Sequence, residues 1–143
     1  MKQVEFSERK CKKEDYKFFY KIIKETLIPY ISKYFPPNPK IIREGFKRDY
    51  KKIVVFMKGK RKIGFYQITP SKNSIDITKI FLSKNYQGKG IGLKLMKKFE
   101  KLPCKKITLQ VWENNLPAKK FYENLGYAFV KKEKHKIHME KRL

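Results

Sequence analysis

The chain has 143 residues, 37 of them Lys or Arg and 13 Asp or Glu, giving a formal net charge of +24, with 41% apolar and 15% aromatic residues. That apolar share excludes a disordered basic tail and suits one domain with its own core. Apolar runs such as Ile53 to Met57 fall far short of the ~20 residues of a bilayer span, and Met1 opens a polar stretch rather than a signal peptide, so no membrane association or export is expected and the expected location is cytoplasmic.

Val4 and Phe6 alternate with polar neighbours as a short first strand would. Tyr16, Phe19, Tyr20, Ile23 and Leu27 then fall on one face of an amphipathic helix, which Pro29 limits. Pro36-Pro37-Asn38-Pro39 forces an extended loop, and Ile42, Phe46 and Tyr50 predict a second short helix. Ile53 to Met57 and Ile63 to Ile68 are β-branched and aromatic runs joined through Gly59, the pattern of a hairpin, and a third strand follows from Ile75 to Leu82. Ile91, Leu95, Phe99 and Leu102 share a helical face that Pro103 ends, and Ile107, Leu109 and Val111 alternate as a strand. Asn114 or Asn115 caps the next helix, with Pro117 in its first turn, Ala118, Phe121, Tyr122 and Leu125 as its buried stripe, and Gly126 closing it. Two strands near residues 127–131 and 136–140 complete the order β-α-α-β-β-β-α-β-α-β-β, a single α/β domain over residues 1–143 with a mixed sheet and flanking helices.

Cys11 and Cys104 are isolated thiols with no C-x-x-C spacing or nearby His, so neither a metal site nor a disulfide framework is expected. A surplus of positive charge attracts polyanions, but the basic pairs, from Lys12-Lys13 to Lys131-Lys132, are spread along the whole chain. That dispersion describes a solvated surface with weak, non-specific nucleic-acid binding better than a dedicated nucleic-acid face.

The segment Gln87-Gly88-Lys89-Gly90-Ile91-Gly92 joins a strand directly to a helix N-terminus. Glycines let an anion approach the main chain, and the free N–H groups and helix dipole, roughly half a positive charge, favour a pyrophosphate there. No Gly-Lys-Ser/Thr follows, so the Walker loop fails, and the spacing misses the dinucleotide fingerprint. A plain tight turn fits the same residues.

Further along comes Asn114-Asn115-Leu116-Pro117-Ala118-Lys119-Lys120-Phe121-Tyr122-Glu123-Asn124-Leu125-Gly126-Tyr127. Together the two segments resemble the cofactor motifs of the GNAT superfamily of acyl-CoA-dependent N-acetyltransferases. Gln87, Gly90 and Gly92 match Gln/Arg-x-x-Gly-x-Gly/Ala, and Asn115, Ala118, Phe121, Tyr122, Gly126 and Tyr127 match Asn-x-x-Ala-x-x-Phe-Tyr-x-x-x-Gly-Phe/Tyr. The resemblance is strongest over residues 53–131, the cofactor half of such a domain.

What the resemblance implies is transfer of an acetyl group from acetyl-CoA to a primary amine by direct attack on the thioester. It implies that the main chain of Ile80, Phe81 and Leu82 holds the pantetheine, that Gln87, Gly88, Lys89, Gly90, Ile91 and Gly92 face the pyrophosphate, and that Asn115 hydrogen-bonds the CoA arm. It also implies Tyr122 as the acid that protonates the departing thiolate. By spacing alone, Tyr122 belongs to the helix stripe and Asn115 is a helix cap. One family position for a basic carboxylate is Gln110 here, which cannot accept a proton; the other is Asp76, the candidate base, which an edge-strand charge against aggregation would explain as well.

The acceptor groove of the family implies Tyr30, Lys33, Tyr34, Phe35 and Phe46 as wall residues, while His135 and His138, on the last strand, have no motif support. A +24 surface disfavours cationic acceptors unless a local acidic patch exists, so among small-molecule or protein amines one on an acidic or nucleotide-bearing molecule fits better, with protein N-terminal and lysine amines still open; a monomer or a homodimer is expected. A nucleic-acid-binding module with a vestigial CoA site is the alternative from another class.

Overall fold

The computed structural model describes residues 6–143. Its seven strands are β1 (Ser7–Lys10), β2 (Val54–Lys58), β3 (Arg61–Pro70), β4 (Ser74–Leu82), β5 (Lys106–Trp112), β6 (Ala128–Glu133) and β7 (Lys136–Arg142). The helices are α1 (Tyr16–Thr26), α2 (Ile28–Ile31), α3 (Pro39–Asp49), α4 (Ile91–Glu100) and α5 (Leu116–Asn124). The sequence-derived order holds, with two adjustments. Val4 lies outside the described residues and β1 starts just after Phe6, and Pro29, instead of simply ending α1, seeds the separate single turn α2.

The strands form one mixed sheet in the order β1-β2-β3-β4-β5-β7-β6. Every pairing is antiparallel except β4 with β5. That parallel pair needs a crossover, and α4 supplies it. One sheet face packs on α4 and α5 through Phe56, Tyr66, Ile77, Leu95, Phe99 and Tyr122. The other packs on α1 and α3 through Phe19, Ile22, Phe46 and Phe65. Each such fully buried large side chain contributes about 1.5–3 kcal/mol of hydrophobic stabilisation.

Two features of β4 set up the site. Gln67 faces Lys79 and Ile68 faces Ile77, so Thr78 is an extra residue, a β-bulge. The bulge shifts the alternation: Ile75 and Ile77, then Ile80 and Leu82, face α4 and α5, while Phe81 turns to α1. Second, β4 pairs with β5 only from Ser74 to Ile77 opposite Lys106 to Leu109. Beyond this point the strands part, and the edge of β4 that faces β5 bonds to no strand among the described residues.

Candidate active site

The gap between the strands opens into two cavities, of about 640 and 400 Å³, that share Leu27, Ile80, Phe81, Asn115, Ala118 and Tyr122 as walls. The larger runs from the end of α1 across the free edge of β4 to the glycine loop. The smaller includes Asp76, Lys79, Gln110 and Trp112. Together they make a passage through the sheet at the strand gap.

The loop after β4 is pinned by two adjacent side chains. Tyr86 is 8% exposed in the core and its hydroxyl accepts from the Arg61 guanidinium at 3.2 Å. The Gln87 side-chain amide donates to the Leu82 carbonyl at 2.9 Å, so that carbonyl is already engaged. Gly88 and Gly90 have φ of +73° and +82°, the left-handed region that side chains disfavour, and Gly90 is the residue before the first turn of α4. No side chain caps this helix, and the N–H groups of Gly88 to Gly92 donate to no carbonyl among the described residues. Five free donors in the stretch that opens a helix, three of them on glycines lining the larger cavity, fit an anionic pyrophosphate. The Ile91 side chain is buried in the core, so only its main chain can serve there, and the Lys89 ammonium sits 5.4 Å from the Tyr86 ring centre.

Asn115 caps α5, its side-chain oxygen accepting from the Ala118 N–H at 3.2 Å, and its amide nitrogen stays available on the passage wall. Tyr122, on the inner face of α5, lines both cavities and is 7% exposed. Burial alone pushes its phenol well above the ordinary value, so it is protonated throughout the neutral range.

Asp76 lies in the fourth of the seven strands in sheet order, which removes the edge-strand explanation. It accepts from Thr108 at 2.7 Å and Thr78 at 3.3 Å, leaving carboxylate lone pairs for a further donor in the smaller cavity. Gln110 lines that cavity too. Lys79, beside them, donates to Gln67 at 2.9 Å and lies 3.5 Å from Asp49; burial lowers its pKa.

Other expected groove residues separate. Tyr30 lines the larger cavity, but Phe46 is core, 4.9 Å from the Phe19 ring, and Lys33 is exposed on the surface. Tyr34 and Phe35 pack against Trp112 and His135, and His135 is in the β6–β7 turn, not on the last strand. Sequence reasoning missed Glu25 and Glu113. Glu25, in the last turn of α1, lines the larger cavity with one carboxylate oxygen buried and unpartnered among the described residues. Glu113 gathers Tyr34, Lys132 and His135 at 3.1, 2.7 and 3.2 Å. Neither belongs to a motif; only the fold brings their partners to them.

A mixed sheet parted between two parallel strands, with a free-amide cradle at the following helix, defines an acetyltransferase-type fold. The chain matches the model of the acetyltransferase (GNAT) domain over residues 8–141 and belongs to that family. The PaiA N-acetyltransferase of Thermoplasma acidophilum, solved with coenzyme A, shares the fold at a TM-score of 0.76 and 18% identity, over 97% of this chain and 99% of that one. PH1933 of Pyrococcus horikoshii gives a TM-score of 0.72 at 27% identity, again over 97% and 99%. A probable spermine N(1)-acetyltransferase of Bacillus subtilis subsp. natto is 38% identical over 58 residues, 37% of this chain. The chain spans only 38% of that curated relative's length. Among the described residues no helix is long and apolar enough to cross a membrane and no cluster of metal-ligating side chains occurs.

Proposed function

We propose that the protein transfers an acetyl group from acetyl-CoA to a primary amine. The observation that carries this is the passage itself: an anion cradle of free N–H groups at Gly88–Gly92 leads along an unpaired strand edge to a buried phenol and, beyond it, a carboxylate. Acetyl-CoA supplies the activated thioester. Gly88 to Gly92 bind its pyrophosphate through the main chain, with Lys89 adding charge, and Gln87 fixes the loop to β4. The main-chain edge of Ile80, Phe81 and Leu82 receives the pantetheine as an added strand would, and Asn115 donates to it from the opposite wall.

The chemistry must overcome the protonation of the amine. With a reference pKa of about 10.4, only about one amine in 2,500 is neutral at pH 7, a deficit of roughly 4.6 kcal/mol. Asp76, directly or through one water, accepts the proton, and the low polarity of the passage assists. The neutral amine attacks the thioester carbon, a C–N bond forms as the C–S bond breaks, Tyr122 gives its proton to the departing sulfur, and the proton that the attacking nitrogen sheds on becoming an amide returns to the phenolate, directly or through water. Burial keeps this phenol protonated at neutral pH, so a proton donor is in place when the thiolate departs.

Calorimetric titration with acetyl-CoA tests the cofactor, and a thiol-release assay over a panel of amines tests the chemistry. Micromolar binding with amine-dependent thiol release is expected. Retention on nucleic acid with neither acetyl-CoA binding nor thiol release would replace this function with polyanion binding.

A further inference from the structure

In a chain with nearly three cations for each anion, a carboxylate without a basic partner is unusual. Among the described residues, eight Asp and Glu side chains hold a Lys, Arg or His within ion-pair distance. Of those without one, Glu14 and Glu44 are exposed, and the other two, Glu25 and Asp76, both line the passage. Glu25 approaches from the last turn of α1 and Asp76 from the middle of β4. They lie at different points along it, since Glu25 lines only the larger cavity and Asp76 only the smaller.

The surroundings sharpen the contrast. Glu25 has an oxygen with neither solvent nor a donor among the described residues, although α1 itself carries Lys17, Lys21 and Lys24. Leaving a carboxylate oxygen buried and unpaired is costly, and an amide N–H would compensate it only in part, whereas an ammonium cancels its charge. The pyrophosphate cradle gives Glu25 no role of its own, because a carboxylate repels phosphate.

From this, and resting on the acetyl-transfer reading, we infer that the acceptor is an extended polycation, at least a diamine on an alkyl chain, whose reacting amine meets Asp76 while a second ammonium pairs with Glu25. The surface charge of +24 repels such a molecule from the protein at large, so recognition falls to these two carboxylates inside the passage. Glu25 is then a specificity residue: it discriminates by charge at a distance from the reacting carbon. The larger cavity, at about 640 Å³, has room for an alkylamine chain alongside a pantetheine arm.

The test compares spermidine with n-butylamine in the thiol-release assay, and follows spermidine binding to the CoA-loaded protein by calorimetry. The wild-type protein is expected to favour spermidine over n-butylamine by at least about tenfold in kcat/KM. Glu25→Gln should raise the KM for spermidine about tenfold or more and shrink that preference, with the KM for acetyl-CoA staying close to wild type. Equal use of the two amines by the wild type overturns the inference while leaving acetyl transfer intact. So does a Glu25→Gln effect confined to the KM for acetyl-CoA, which makes Glu25 a pantetheine partner. If no amine releases thiol, the acetyl-transfer reading fails, and calorimetry still decides the recognition: spermidine binding lost in Glu25→Gln supports it, and binding that is absent or unchanged overturns it.

Discussion

The ring of Tyr34 lies on the imidazole of His135, 3.8 Å between centres and 14° between planes, and the Tyr34 hydroxyl donates to Glu113 at 3.1 Å. The segment after α2 is thereby strapped to the β5–α5 loop and the β6–β7 turn, and Asn114 adds a hydrogen bond to the Tyr30 carbonyl at 3.1 Å. Lys132 first, then His135 and Tyr34, pull the Glu113 carboxyl down to about 2. A depressed carboxyl contributes stability that is complete above its unfolded value of about 4.3 and lost as pH falls through the folded one. The strap is therefore expected to loosen in acid, between about pH 4 and pH 2. Trp112, the single tryptophan, stacks 6.0 Å from Tyr34, so its fluorescence reports the event. Glu113→Gln should abolish this acid transition; a transition that persists unchanged would detach Glu113 from the strap.

Gly90→Val is expected to weaken acetyl-CoA binding at least tenfold by calorimetry. A Cβ there would meet no atom within 4 Å, so the penalty has two other sources: φ of +82°, which costs an L-residue about 1–2 kcal/mol, and bulk in the space kept for phosphate. Wild-type affinity in the folded variant would remove the loop from the cofactor site.

Tyr122→Phe should bind acetyl-CoA normally and fold normally, since the hydroxyl has no hydrogen-bond partner among the described residues to lose. Its kcat is expected to fall by ~10²-fold, the scale of a lost general acid. Undiminished turnover, with chemistry shown to be rate-limiting, would hand the proton to water or another group.

For Asp76→Asn, the acid limb of the kcat/KM profile is the diagnostic. The hydroxyls of Thr108 and Thr78 can reverse their roles toward an amide, so the fold should hold. A shifted or missing acid limb identifies the base; an intact limb leaves deprotonation to solvent and to the low polarity of the passage.

Asp15 offers a stability test remote from the chemistry. It is 2% exposed and receives Arg9 through two bonds of 2.8 and 2.9 Å, Lys62 at 2.6 Å and the Lys12 N–H at 2.8 Å. Led by Arg9, these partners hold its carboxyl far below the usual range. Asp15→Asn is expected to cost roughly 2–3 kcal/mol in urea unfolding at neutral pH. The difference from wild type should shrink as pH falls below about 3.9, where the native contribution begins to fade.

The local pattern was legible wherever one period ruled a segment. Phe19 and Ile23 on α1, or Ile107, Leu109 and Val111 on β5, declare their buried side by spacing alone. Motif residues such as Gly90 and Asn115 declare themselves because a left-handed turn and a helix cap each demand particular residue types. Phe46 misled because an aromatic residue on a short helix looks the same whether it faces a groove or a core. Glu25 and Glu113 gave no signal, since their meaning rests on residues distant in sequence that the fold brings to them.

The extra residue at Thr78 makes the length of β4 count in twos. With the bulge kept, deleting one residue after it would swing Ile80 and Leu82 toward α1 and drive Phe81 under α4, exchanging the two linings of the passage at a stroke. Removing a pair would keep each side chain on its side and merely shorten the wall. Across descendants of this sequence, gaps and insertions in that stretch should therefore be scarce, and those that survive should be even in number or accompanied by loss of the bulge.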